Sequence, residues 1–324
     1  MIRDADRERR SVDASRPARG THPPGPSKAT PSAVFAWVTA TRPATLTAAV
    51  APVVVGSATA AAEQAFHPLA ALAALAVGVF IQIGTNLAND AYDFLHGADT
   101  AERAGPVRVT AAGWLSARQV LAGAYLCFGA AACVGLYLVA LRGWPLLIVG
   151  ALAIVSGVAY TTGPLPIAYR GLGELFVFVF FGLVAVSGTD YVQTGAVRPQ
   201  ALSASVPVGL LCAAILVVNN LRDIDTDRAA AKRTLAVRIG RSWTRIEYTV
   251  CLVGAFAAPA LMRAAGTLGA WFWLPWVALP FGLGLALRVW RDDGPRLNGA
   301  LRGTARLHLL FAALLAAAIL GPDR

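Results

Sequence analysis

The chain has 324 residues, of which 56% are hydrophobic and 14% charged, well under the ~25% charged share of a typical soluble domain. With a mean hydropathy of +0.58, this composition points to a polytopic membrane protein. The net charge of +10 does not indicate nucleic acid, because the basic residues sit between apolar runs and so read as orientation signals.

Residues 1–33 hold Pro, Ser and Arg but almost no large apolar side chain, so they cannot bury enough surface to fold alone. They contain no apolar stretch of the signal-peptide kind. A disordered cytoplasmic tail is expected there, with attraction of its arginines to anionic lipid as the alternative. From residue 34 to residue 324 a single transmembrane domain is expected. Nine apolar runs lie at about 34–61, 68–93, 117–140, 144–162, 172–193, 201–221, 243–263, 268–289 and 304–321; a spanning helix needs about 20 residues. Pro43 and Pro52 make the first run irregular or kinked. The fold class is therefore all-α, a polytopic membrane protein with about nine transmembrane helices around one central cavity.

The connections alternate in charge. Of 28 Lys and Arg, 24 fall in the tail through Arg42 and in the connections after the second, fourth, sixth and eighth runs, leaving Arg142, Arg198, Arg263 and Arg324 for the other side. The positive-inside rule then places the N-terminus in the cytoplasm of a cell-membrane protein and the C-terminus outside. Cys127, Cys133, Cys212 and Cys251 all lie inside apolar runs and read as small buried apolar residues, with no zinc or redox spacing. His67, His96 and His308 are scattered and carry no motif.

Two of the runs end in polar faces. The second finishes with Asn86, Asn89, Asp90 and Asp93, which fall within an arc of about 100° on one helix face. The sixth ends with Asn219, Asn220, Asp223 and Asp227 on a similar arc, while Asp225 points away. Aspartates at membrane depth cost ~2.5–3.5 kcal/mol each and by default mark a cavity and a function. Two matched faces suggest a shared ion site, and carboxylates and amide carbonyls are hard oxygen donors suited to Mg²⁺. Both motifs lie at the cytoplasmic ends of their runs, which disfavours the rival reading of an ion-coupled transporter with a site at mid-membrane.

The segments Asn86-Leu-Ala-Asn-Asp90, Asp93, Gly97-Ala-Asp99, Gly105-Pro-Val-Arg108, Tyr160-Thr-Thr-Gly-Pro164, Gly171-Leu-Gly-Glu174 and Asn219-Asn-Leu-Arg-Asp-Ile-Asp-Thr-Asp227 with Lys232-Arg-Thr-Leu-Ala-Val-Arg238 resemble the motifs of the UbiA superfamily of intramembrane prenyltransferases. The closer likeness is to its MenA branch, and it runs from about Arg42 to the C-terminus. The resemblance implies Mg²⁺-dependent transfer of a polyprenyl group from polyprenyl diphosphate to 1,4-dihydroxy-2-naphthoate with decarboxylation, within the lipid bilayer. Another aromatic acceptor, 4-hydroxybenzoate or homogentisate, is the alternative.

In that reading Asn89, Asp90, Asp93, Asp99, Asp223 and Asp227 hold Mg²⁺. Asn86, Asn89, Arg103, Arg108, Asn220, Arg222 and Lys232 bind substrate, the cations by clamping diphosphate oxygens. Asp93, Asp223, Asp227, Tyr160 and Lys232 carry catalysis. Tyr160, with Tyr92 and Phe94 as further candidates, offers an aromatic face to an allylic cation. For Lys232 and Arg108 the plain alternative is positive-inside bias, for Tyr160 an interfacial tyrosine, and for Glu174 a helix N-terminal charge rather than an orienting group.

Overall fold

A computed structural model describes residues 31–97, 105, 107–162 and 167–321, and the described residues contain helices and turns without a strand. The first thirty residues of the expected tail, and Asp99, Arg103 and Arg324, lie outside them. The helices are α1 (Ala33–Thr41), α2 (Thr47–Ala62), α3 (Pro68–Leu95), α4 (Ala117–Arg142), α5 (Pro145–Ala159), α6 (Gly173–Val177), α7 (Ala185–Thr194), α8 (Pro199–Arg222), α9 (Ile224–Ala229), α10 (Leu235–Ala264), α11 (Leu279–Arg291) and α12 (Leu297–Ile319).

Local chemistry sets the boundaries. In α3 Pro68 takes the first helical position and His67 Nδ1 accepts from the amide of Ala70 at 3.1 Å, which satisfies an otherwise orphaned N–H. In α4 Ser116 and Gln119 form a reciprocal capping box. Arg42 stands in the left-handed region at φ 52° before Pro43. That breaks the first apolar run into α1 and α2, bent by 50°, because a residue before proline is disfavoured in the helical region. Pro52, by contrast, sits inside α2 without ending it. Gly240, at φ 80°, interrupts α10 near its start. Between α6 and α7 the chain widens into a π turn over Phe178–Val184.

Helix α8 is the axis of the bundle. Of its apolar window 72% is buried, against 22% for α4. Its side chains Val208, Leu211, Val217, Val218 and Leu221 join those of α2, α10 and α12 in the main core. A second core ties α1 and α3 to α4 through Ala36, Leu87, Val120 and Phe128. Where α8 meets the π turn the backbones nearly touch: a Cβ on Gly182 would come within 2.6 Å of the Gly209 Cα. At the far end of the bundle Asp190 is fully buried, accepting from Thr59 Oγ1 at 2.8 Å and from Arg198 Nε at 2.9 Å.

Among the described residues seven helical segments are long and apolar enough to cross a membrane, or eight if the bent α1–α2 pair is one span. The expected count of nine is not reached on length, because α5 has 15 residues, about 22 Å at 1.5 Å per residue, short of a 30 Å hydrocarbon core. The apolar run that suggested a full span continues past the helix into the turn at Tyr160 and Thr161. Yet α5 joins the two ends of the bundle. It starts just after Arg142, which donates to the carbonyls of Val192 and Gln193 at the far end, and it leads into Thr161, which bonds Asn89 at the other. The protein is a multi-pass membrane protein.

Candidate active site

At 28 residues, α3 is about 42 Å long, more than a bilayer core needs. Its last turns carry the first acidic face up to the polar end of a cavity between α2, α3, α5, the α6–α7 segment and α8. The cavity has a volume of about 370 Å³. Its walls are mainly apolar, with Val77 and Val149 on one side and Phe176, Phe180 and Phe181 on the other. Its polar end is lined by Asn89 and Asp93 from α3, by Asn219, Asn220 and Asp223 from the end of α8, and by Asp227 from α9. Arg42, Arg108 and Lys232 supply three cations to the same end. The two acidic faces, about 130 residues apart in sequence, thus meet across one cavity.

Asp93 is at the centre of this polar end. Its carboxylate is 2% exposed. Arg108 Nη2 donates to its Oδ2 at 2.7 Å, Lys232 Nζ lies 3.8 Å from the same oxygen, and Tyr169 donates to Oδ1 at 3.4 Å. Lys232 also stands 5.4 Å over the Tyr169 ring, a favourable place for a cation. Burial of an ion pair is tolerated only where the charges are well matched, and here two cations and a phenol surround one carboxylate.

Other expected site residues have different partners. Asn89 lines the cavity and accepts from the Thr161 hydroxyl. Asn86 also lines it, but its amide donates to the Thr41 carbonyl and the Thr45 hydroxyl, both at 2.9 Å, and ties α3 to the break after α1. Asn220 donates to Glu174 Oε1 at 2.7 Å, so Glu174 is a buried partner of the second acidic face. Tyr160 lines the cavity, with Gly173 against its hydroxyl: a Cβ there would come within 3.1 Å of that oxygen.

Four expected residues lie off the cavity. Asp90, expected among the metal ligands, is 1% exposed and is not on the cavity. Its two oxygens accept from the backbone amides of Val109 and Thr110 at 3.2 and 3.1 Å, so it anchors the segment that carries Arg108. Arg222, expected to touch substrate, folds back on its neighbour. Its Nε and Nη2 donate to the two oxygens of Asp223 at 2.8 and 2.6 Å, and its Nη1 donates to Asn298 on α12 at 3.0 Å. It lies off the cavity and holds Asp223 in place. Tyr92 and Phe94 are likewise off the cavity; the Tyr92 hydroxyl pairs with that of Tyr125 at 2.9 Å, and Phe94 is exposed.

Thr161 and Tyr169 were missed in the sequence. Thr161 sits in the motif that singled out Tyr160, while Tyr169 lies in a short 3₁₀ turn whose only signal was its nearness to that motif. Among the described residues no three His, Cys, Asp or Glu side chains stand close enough to hold a metal ion by themselves. The donor set is one of carboxylates and amides on two sides of a cavity, interleaved with cations. Such a set suits Mg²⁺ that arrives with phosphate oxygens, since this ion typically takes only one or two protein carboxylates.

The model of the UbiA prenyltransferase family matches residues 49–315. The chain is 44% identical over 248 residues to the 1,4-dihydroxy-2-naphthoate octaprenyltransferase of Mycobacterium tuberculosis, covering 71% of this chain and 85% of that one. With the enzyme of the same name from Escherichia coli the identity is 35% over 287 residues, covering 85% and 93%. Among solved structures, a UbiA homolog from Archaeoglobus fulgidus bound to GPP and Mg²⁺ superposes with a TM-score of 0.60 at 15% identity, covering 88% of this chain and 99% of that one. A second, from Aeropyrum pernix, gives 0.63 at 17% identity, covering 82% and 96%. On the family match and the identity to these relatives, the chain belongs to the UbiA prenyltransferase family.

Proposed function

We propose that the protein is an aromatic prenyltransferase that moves a polyprenyl group from polyprenyl diphosphate to 1,4-dihydroxy-2-naphthoate, in menaquinone biosynthesis. The observation that carries this reading is the cavity itself: carboxylates from α3, the end of α8 and α9 together with three cations at one end, and a long apolar remainder. The relatives named for this reaction, 31–44% identical over most of the chain, support the acceptor.

In this reading Asp93, Asn89, Asp223 and Asp227 hold Mg²⁺ together with the diphosphate, and Asp99 belongs to the same set by its motif. Bound Mg²⁺ supplies positive charge that neutralises the diphosphate and eases its departure. Arg108 and Lys232 turn from Asp93 toward the diphosphate oxygens, where they stabilise the charge that develops on the leaving group. Arg103 joins the substrate-binding set by its motif alone, and Asn220 supports the diphosphate pole through Glu174. The polyprenyl chain lies along Phe176, Phe180 and Phe181. When the allylic C–O bond breaks, Tyr160 presents its ring to the cation, and the dry apolar wall keeps water from capturing it. The ring carbon of the acceptor that bears the carboxylate attacks; the C–C bond to the carboxylate then breaks, its electron pair restores the aromatic ring, CO₂ leaves, and the product is the 1,4-dihydroxy (quinol) form of a demethylmenaquinone.

The basic ends of the helices support a cytoplasmic site and a cytoplasmic N-terminus in the cell membrane. The test uses 1,4-dihydroxy-2-naphthoate carrying ¹⁴C in its carboxylate, presented with a polyprenyl diphosphate to membranes containing the protein. Label should appear as CO₂ in step with diphosphate release. Label kept in a prenylated product, or preferential use of 4-hydroxybenzoate, overturns the acceptor assignment and leaves prenyl transfer standing.

A further inference from the structure

Away from the central cavity, α11 and α12 line a second groove of about 430 Å³. Arg288 of α11 and Arg302 and Arg306 of α12 line it. The two α12 arginines are four residues apart and share a helix face. Side chains lean toward the N-terminus of their own helix. In consecutive, oppositely directed helices this brings Arg288 toward the α12 pair. No carboxylate lines the groove, and among the described residues none of the three arginines makes an ion pair or a side-chain hydrogen bond. The other cations of the same end differ: Arg241 and Arg245 are both within 3.1 Å of Asp293.

The groove exists because of glycine. A Cβ at Gly284 or at Gly299 would meet no atom within 4 Å, while Gly303 closes the floor against Leu285. Phe281 completes an apolar wall leading away from the arginines. Depth identifies the kind of anion. Helix α12 ends at Ile319, and about twenty residues fill a hydrocarbon core, so counting back puts the inner edge of that core near Gly299. Arg302 and Arg306 therefore start inside the inner leaflet and reach back to its polar boundary. A soluble anion does not reside there, whereas a lipid phosphate does.

We propose that this groove is a binding site for an anionic phospholipid of the inner leaflet, with its phosphate on Arg288, Arg302 and Arg306 and an acyl chain along Phe281 and Gly284. Basic pockets between transmembrane helices on this side of a membrane are suited to such headgroups. The site is separate from the prenyl cavity and does not depend on the reaction assigned to it.

The test is native mass spectrometry of the full-length protein in detergent with equal amounts of phosphatidylglycerol and phosphatidylcholine. The native chain should retain one phosphatidylglycerol, and R302Q/R306Q should lower that retention about tenfold or more, one decade in affinity. G284L should do the same by filling the groove without removing a charge, and its open surroundings make it a variant that folds. Native-like retention in both variants overturns the site. So does equal retention of phosphatidylcholine, which would mean that charge is not read. Displacement of the lipid by millimolar inorganic phosphate alone would show a soluble-anion site and overturn the lipid assignment.

Discussion

Asp90→Asn separates two roles that a helical wheel merges. Asp90 accepts from two backbone amides, Val109 and Thr110, with both oxygens buried. Asparagine keeps one acceptor and turns an NH₂ group toward the other amide. A hydrogen bond to a charged group is worth ~1.5–3 kcal/mol, so about that much anchoring is lost, or roughly ten- to 150-fold in the opening equilibrium of the segment. Hydrogen exchange at Val109 and Thr110 should accelerate by that factor in detergent-solubilised protein. Turnover should fall with it, because Arg108 is carried by the same segment. The Mg²⁺ concentration for half-maximal activity should not move. Asp93→Asn is the contrast: it should shift the Mg²⁺ dependence and leave exchange at Val109 and Thr110 slow. If Asp90→Asn moves the Mg²⁺ half-point while exchange stays native, Asp90 is a metal ligand and its assignment as an anchor is wrong.

Asp93→Ala and Asp223→Ala should each abolish prenyl transfer while the protein still inserts and elutes as the native chain; near-native turnover in either would sink the shared site. Gly182→Ala should cost about 1–3 kcal/mol through overpacking against the Gly209 backbone, read as a lower melting temperature, whereas Gly129→Ala on α4, with open space around it, should hold or raise it. Reporter fusions after Ser27 and at the C-terminal Arg324 should report opposite sides of the membrane, the N-terminal one cytoplasmic. Reports from the same side mean an even number of spans and remove α5 from the count.

Much of this architecture was legible because membrane helices announce themselves by apolar length, and because aspartates at membrane depth have few places to go. The faces Asn86–Asp93 and Asn219–Asp227 follow from helical geometry alone, and they do meet in one cavity. Pro43 signalled the break in the first apolar run, since it restricts Arg42 before it. What a wheel of residues cannot show is which neighbour claims a side chain. Asp90 shares the arc of Asp93, yet a returning segment takes both of its oxygens. Arg222 sits beside Asp223 in sequence and is spent on it. The helix of α5 is shorter than its apolar run because hydropathy does not stop where the helix does. The interruption at Gly240 and the π turn left no readable pattern, since both depend on tertiary packing.

That π turn sets the phase of everything after it. Phe176, Phe180, Val184 and Gly188 all border the cavity, a repeat of four residues that a regular helix, at 3.6 per turn, would wind steadily away from one side. The wider turn over Phe178–Val184 takes up the excess, as a leap day corrects a calendar. Removing one residue there would let the helix close into a uniform coil, but would rotate α7 by about 100°. Asp190 would then swing off Thr59 and Arg198, leaving a buried charge at one end of the bundle to report an error made at its middle.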